Sequence, residues 1–346
     1  MGISNLGKLI KLQTKRCCRE RSLEYYRNKR VAIDASMCMY QFLIAIRTDG
    51  MALGTEDTTT SHIIGMFYRT IGIVESGLKV LFVFDGKPPQ EKLNELLKRK
   101  EKREKANIKL DEAKEIGKKE DVEMYEKRKI KVTSEHVNDC KKILDLLKVP
   151  YITAPSEAEA YCAYLNKIGK VDAVASEDMD ALTFGAPLLL RNLTASKSKK
   201  LPIREYNLSE MLRELELNQD EFIDLCILLG CDFSSTIKGV GPKTAFNLIK
   251  KYRSIEAILE NEDLKLPDDF SYKKARLIFK ELGDNENDVE IEGIKWNEVN
   301  PDEIKEFLVN QHNFNEDRVT KAVERYLQCK NKGIQCTLDS FFLKKK

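Results

Sequence analysis

An α/β fold, with a mostly parallel central sheet flanked by helices, is predicted for this chain by three observations. Apolar, β-prone runs alternate with longer stretches of helical periodicity. Four of those runs, VAIDAS, VLFVFDGKPP, VPYITAPSEAE and VDAVASEDMD, pass at once into acidic residues. With 346 residues and a hydrophobic share of 42%, the chain can furnish a sizeable core, while no apolar run approaches the ~20 residues of a membrane helix.

The first strand, VAIDAS, ends at Asp34. SHIIGMFYRTIGIVESG reads as a helix and leads to the second strand, VLFVFDGKPP, with Asp85. From Glu91 to Lys131 the chain is highly charged, helix-prone and too poor in apolar residues to bury a core, so it predicts a solvated helical hairpin. Lys92 and Arg99, seven apart, would share a helix face, which would make the hairpin a basic clamp. The helix SEHVNDCKKILDLLK follows, then the strand carrying Glu157 and Glu159, then a helix and the strand carrying Glu177, Asp178 and Asp180. LLLRNLTAS predicts one more strand, and NQDEFIDLCILLG an apolar helix ending near Asp232. TIKGVGPKTAFNLIKKY predicts a glycine-rich turn opening a helix, and the chain from Ser254 to Asn331 reads as helical.

Each acid has a bland alternative. Glu159 stands three residues after Ser156, the spacing of a capping box, and Asp34 or Asp85 alone could end a turn. Together, Asp34, Asp85, Glu157, Glu159, Asp178, Asp180 and Asp232 fall where the ligand crevice of a parallel sheet forms, outside the carboxyl ends of its strands. Crowded carboxylates repel, so they need a source of positive charge. None of His62, His136 and His312 lies in these motifs, and oxygen-only ligation points to Mg²⁺, with Mn²⁺ as the alternative. So many acids exceed the needs of one such ion, and a pair about 4 Å apart is the chemistry of phosphodiester cleavage. An aspartyl phosphatase is disfavoured, because Lys87 stands where its second Asp belongs.

Other classes are excluded by composition. Nine scattered cysteines, with Cys17 beside Cys18, suggest neither a disulfide framework nor a zinc site. The net charge of +3 hides acids and bases that are segregated along the chain. GVGPK lacks the Walker spacing, so its amides and Lys243 suit a duplex phosphate better than ATP. In the tail, Gln335, Leu338, Phe341 and Phe342 have the Q-x-x-L-x-x-F-F spacing of a sliding-clamp box, in which a short turn gathers three apolar side chains into a plug.

The order and spacing of MGI, VAIDAS, YQFLIAIR, TTSHIIGMFYRT, VFDGKPPQ, APSEAEA, SEDMDALTFG, LTAS, KLPI, DLCILLGCDF, GVGPK and QCTLDSFF resemble the eukaryotic flap endonucleases, structure-specific 5′ nucleases, over nearly the whole chain. The resemblance implies that the same seven carboxylates hold two Mg²⁺ ions, with Glu177 outside the set. It implies that Lys92 and Arg99 contact the scissile phosphate at the base of a helical arch through which the single-stranded flap threads. Tyr40 would stack on a base, Arg47 and Arg69 would contact DNA, and Glu157, Gly230 and Asp232 would lie against it. Gly239, Gly241 and Lys243 would belong to a helix–two-turn–helix that grips duplex DNA and holds K⁺.

The implied organisation is a nuclease region over 1–105, part of the arch over 106–122, an internal nuclease region with the helix–two-turn–helix over 123–253, a helical part over 254–330 and a clamp-binding tail over 331–346. The implied protein is a nuclear, also mitochondrial, monomer that acts without a membrane on flap and nicked duplex DNA, in Okazaki fragment maturation and long-patch base excision repair. It would carry 5′→3′ exonuclease activity and bind the trimeric sliding clamp, PCNA. A gap endonuclease or 5′ exonuclease of the same superfamily, and a nuclease-dead clamp-tethered DNA-binding protein, are the rivals. The chain departs from the family's common start, Gln and Gly, at Ser4 and Asn5, and its tail beyond the clamp box is only LKKK.

Overall fold

Strand β1 (Cys18–Arg21), β2 (Arg30–Asp34), β3 (Lys79–Phe84), β4 (Tyr151–Thr153), β5 (Ala173–Ala175), β6 (Leu188–Arg191) and β7 (Ile203–Asn207) form one sheet in the order β1-β7-β6-β5-β2-β3-β4. This computed structural model describes residues 2–48, 60–116, 118–195, 201–282 and 299–331. The β2 to β6 strands run parallel, and β7 and β1 continue the sheet antiparallel. The parallel part matches the strands predicted from sequence. The short strands β1 and β7 carry mostly polar residues, CRER and IREYN, and were not foreseen.

Alternation in the central strands divides the core in two. Val31 and Ile33 of β2, Val80, Phe82 and Phe84 of β3, and Ala173 and Ala175 of β5 face one apolar cluster. Ala32, Leu81, Val83 and Val174 face the other. The first cluster is closed by Phe42, Phe67, Leu144 and Tyr326 from the helices Ala35–Thr48, Ser61–Glu75, Ser134–Leu147 and Glu316–Asn331. The second takes residues from the helices Leu6–Gln13, Ala158–Lys167, Gln219–Leu229 and Pro242–Tyr252, including Ile10, Tyr161, Phe222 and Phe246. Burial on both sheet faces explains why these strands read as continuous apolar runs.

From β2 the chain steps outward to β3 and β4, then returns to place β5 on the other side of β2. This reversal opens the sheet at the carboxyl end of β2, where Asp34 pairs in register with Val83. The charged insert forms the helices Leu93–Ile116 and Lys119–Lys129, packed as a hairpin that extends beyond both limits of 106–122. Among the described residues no helix is long and apolar enough to cross a membrane.

Candidate active site

The strand ends deliver the predicted acids. Asp34 terminates β2, Asp85 follows β3, Glu157 and Glu159 open the helix after β4, and Asp178 and Asp180 follow β5. Asp232 arrives from the far side, two residues past the C-cap glycine of the helix Gln219–Leu229, where Gly230 has φ 106°. Asp34, Asp178 and Asp180 are buried, at 3%, 7% and 4% exposure. Glu159, Asp178 and Asp180 each offer an oxygen within 4.8 Å of the others.

Local hydrogen bonds set these orientations. Asp34 Oδ1 accepts from the Met37 amide at 3.0 Å, and the Ser176 hydroxyl, 3.3 Å from Asp34 Oδ2, itself accepts the Asp178 amide at 3.1 Å. Asp85 Oδ1 accepts from the Ala158 amide at 2.8 Å, which ties the β3 and β4 ends together. A Cβ on Gly86 would come within 1.9 Å of the Ala154 carbonyl oxygen, so glycine is what lets these two ends approach. The capping-box alternative for Glu159 is not realised: the helix begins at Ala158 without a side-chain cap, and the Ser156 hydroxyl donates to the Lys87 carbonyl at 3.0 Å. Glu177 turns the other way, accepting the Asn192 amide at 2.5 Å and lying 3.5 Å from Arg191 Nε.

Burial and mutual repulsion leave the cluster short of positive charge. Burial and the Asp85 charge push the Asp34 carboxyl up to about 7. Burial, with Asp178 and Asp180, raises Glu159, and burial with Asp178 raises Asp180. Two cations answer part of the deficit. Lys92 donates to Glu157 Oε2 and lies 3.6 Å from Asp232 Oδ2; burial works against its charge, but these carboxylates outweigh it and raise its pKa. Arg99 Nη2 donates to both oxygens of Asp232, and its Nε donates to Glu95 at 3.2 Å. Lys92 belongs to the 3-10 turn Gln90–Lys92 rather than to the arch helix itself, yet both side chains converge on one cluster. The donors are oxygens only, clustered and charge-deficient, which fits a hard divalent cation.

The remaining candidates are spread more widely. Tyr40 lines a groove of about 1230 Å³ that runs from Gly2 past Asp232 and under the arch helices. Arg69 is turned inward, donating to the Thr194 carbonyl, with its guanidinium 5.2 Å from the Phe42 ring. Arg47 lies in the last turn of the helix Ala35–Thr48, and its side chain is outside the described residues. Gly239 and Gly241 form an open turn, and exposed Lys243 stands in the first turn of the helix Pro242–Tyr252. Gln335, Leu338, Phe341 and Phe342 lie outside the described residues.

One participant escapes a search for side-chain chemistry. The Ile3 amide donates to Asp180 Oδ1 at 2.7 Å, the Ser4 amide donates to the Gly230 carbonyl at 3.1 Å, and a Cβ on Gly2 would fall 1.5 Å from Asp178 Oδ1. The N-terminal segment, residues 2–4, is thus part of the site's wall. The only signal for it was the opening MGI.

Models of the XPG N-terminal domain match residues 1–106, and of the XPG I-region residues 148–232. A SAM-like helix-hairpin-helix tandem matches residues 234–284. Flap endonuclease 1 of Encephalitozoon cuniculi is 52% identical over 346 residues, covering 100% of both chains. This chain belongs to the flap endonuclease family. The relative from Danio rerio is 50% identical over 99% of this chain and 90% of its own. Among solved structures, flap endonuclease-1 from Methanococcus jannaschii superposes with a TM-score of 0.69 at 32% identity, over 91% of this chain and 97% of that one. The catalytic core of Rad2 in complex with a DNA substrate superposes with a TM-score of 0.70 at 25% identity, over 94% and 100%. The flap endonuclease assignment covers the sheet, the acidic crevice and the helical tandem alike.

Proposed function

We propose that this chain cleaves 5′ flaps in DNA, using two Mg²⁺ ions held by Asp34, Asp85, Glu157, Glu159, Asp178, Asp180 and Asp232. The observation that carries the reading is the convergence of the acidic cluster with Lys92 and Arg99 from the arch base. Bound in that crevice, divalent cations supply the charge that activates water and offsets the departing oxygen in phosphodiester hydrolysis.

The chain's own residues do the rest. Lys92 and Arg99, which neutralise Glu157 and Asp232 here, would turn to the substrate phosphate once those carboxylates have another partner, adding charge stabilisation in the transition state. The buried Ser176 hydroxyl and the Ile3 amide hold Asp34 and Asp180 in fixed orientations, so little reorganisation accompanies the reaction. The open turn at Gly239 and Gly241, with Lys243, offers amides to a phosphate of the duplex, and K⁺ would be held there. Tyr40 would stack on a base beside the cut, with Arg47 and Arg69 supporting the duplex. The tail would bind a trimeric sliding clamp through Gln335, Leu338, Phe341 and Phe342, and the work would be replication and repair in the nucleus.

The deciding assay is a labelled 5′-flap duplex incubated with the folded protein and Mg²⁺. Cleavage near the flap junction supports the reading, and an intact flap overturns it.

A further inference from the structure

We infer that Tyr125 is a stacking platform for an unpaired base of the flap inside the arch, a role that rests on the flap-cleaving reading above. Tyr125 lies on the second arch helix, half-buried, and faces the large groove. Across from it, Ile108 of the first arch helix lines the same groove with 62% of its surface exposed. Ile108 is not part of the hairpin's buried seam, to which the first helix contributes Ala106, Leu110 and Ala113. Lys102, Lys105 and Lys109 line the groove from the first helix, and Arg128 from the second, its guanidinium 5.6 Å from the Tyr125 ring centroid.

A basic groove alone suits any polyanion. An aromatic ring and an exposed aliphatic side chain set among those cations suit only a polyanion that also bares flat apolar faces. An unpaired DNA strand does so, whereas a duplex hides its bases in the stack. The Arg128 guanidinium near the ring adds a cation to one side of the platform and a partner for the neighbouring phosphate. Tyr125 would thereby select a single strand under the arch and hold it in register with the carboxylates, acting through substrate position rather than on the reacting phosphate.

The test compares wild type, Tyr125→Phe and Tyr125→Leu on two flaps, one with bases and one built of abasic nucleotides. With Mg²⁺, Tyr125→Leu should cleave the base-bearing flap about 5- to 20-fold more slowly, as expected for the loss of one stacked base, and Tyr125→Phe should match wild type. On the abasic flap all three should cleave alike. Equal losses on both flaps would reduce Tyr125 to a packing residue, and no loss on either would remove its role; both outcomes overturn the proposal. Binding without divalent metal gives an independent readout: a 2-aminopurine in the flap should be quenched by wild type and Tyr125→Phe but not by Tyr125→Leu. A wild-type protein that fails to cut the base-bearing flap would instead sink the activity reading, and the quenching comparison would still decide the stacking.

Discussion

Arg99 Nη2 lies 2.6 Å from Asp232 Oδ1 and 2.7 Å from Asp232 Oδ2, joining the base of the arch to the far wall of the acidic crevice. The pair is mostly sequestered, with 21% and 15% of the side chains exposed, so removing one partner should be felt. We expect Arg99→Ala to lower the stability of the metal-free protein by about 1–2 kcal/mol, below the cost of breaking a fully buried pair. Mg²⁺ should shrink that loss, because an ion then partners Asp232. Thermal melts with EDTA and with Mg²⁺ check both points, and a loss unchanged by Mg²⁺ would argue against Asp232 as a ligand. Flap cleavage should fall by about 10²–10³.

Neutralising one buried acid should move stability the other way. Asp180→Asn keeps an oxygen for the Ile3 amide but removes a charge from beside Asp178 and Glu159. The metal-free variant should melt at or above the wild-type temperature, lose most of the Mg²⁺-dependent rise and cleave flaps at least a hundredfold more slowly. Binding of flap DNA should persist, since an anion has been removed rather than a cation. A fall in both binding and metal-free melting temperature would contradict this.

Gly86→Ala tests the junction of β3 and β4. Its Cβ would press on the Ala154 carbonyl, and the Gly86 amide that donates to Ser156 at 2.7 Å would be displaced. We expect a loss of more than about 2 kcal/mol in denaturant melts, together with weakened Mg²⁺ stabilisation as Asp85 and Glu157 move apart. Native stability in this variant would mean that the loop yields more readily than the contact implies.

A pH effect is expected away from the crevice. Glu256 accepts from Arg276 Nη1 and Nη2 at 2.8 Å each, and these hydrogen bonds lower its pKa below the ordinary carboxylate value. Its contribution to stability is therefore present above about pH 4.3 and is lost as pH falls through the lower folded value. Glu256→Gln should melt below wild type at neutral pH, and the gap should close in strong acid. A gap independent of pH would assign the effect to packing.

The tail prediction stands apart from the folded core. Replacing Phe341 and Phe342 together by Ala should weaken binding to a trimeric sliding clamp at least tenfold and leave clamp-free flap cleavage unchanged. Surface plasmon resonance with immobilised clamp measures the first, and the flap assay the second.

Much of the site was legible in the sequence because its acids follow apolar runs directly. Once VAID, VFVFD and VDAVASEDMD are read as parallel strands, topology gathers their ends, since such sheets put every strand's carboxyl end on one edge. Asp232 was also visible, at the end of an apolar helix. The antiparallel strands β1, at the sheet edge, and β7, next to it, were not, because short and mostly polar strands carry no hydrophobic alternation. Arg69 is expected from the family resemblance to contact DNA, and only the folded chain turns it toward Thr194 and Phe42.

By itself, the sequence determined the order of the five parallel strands along the chain, the oxygen-only donor set and the charged hairpin, because residue type and spacing follow local periodicity and ligand chemistry. Tertiary structure alone decided how the set is assembled: that Arg99 and Lys92 bind the acids, that Ser176 links Asp34 to Asp178, and that the Ile3 amide holds Asp180. Those contacts join residues more than sixty positions apart, or use main-chain amides that every residue possesses. No local pattern encodes them; they arise when the sheet and the arch bring distant segments to the same edge.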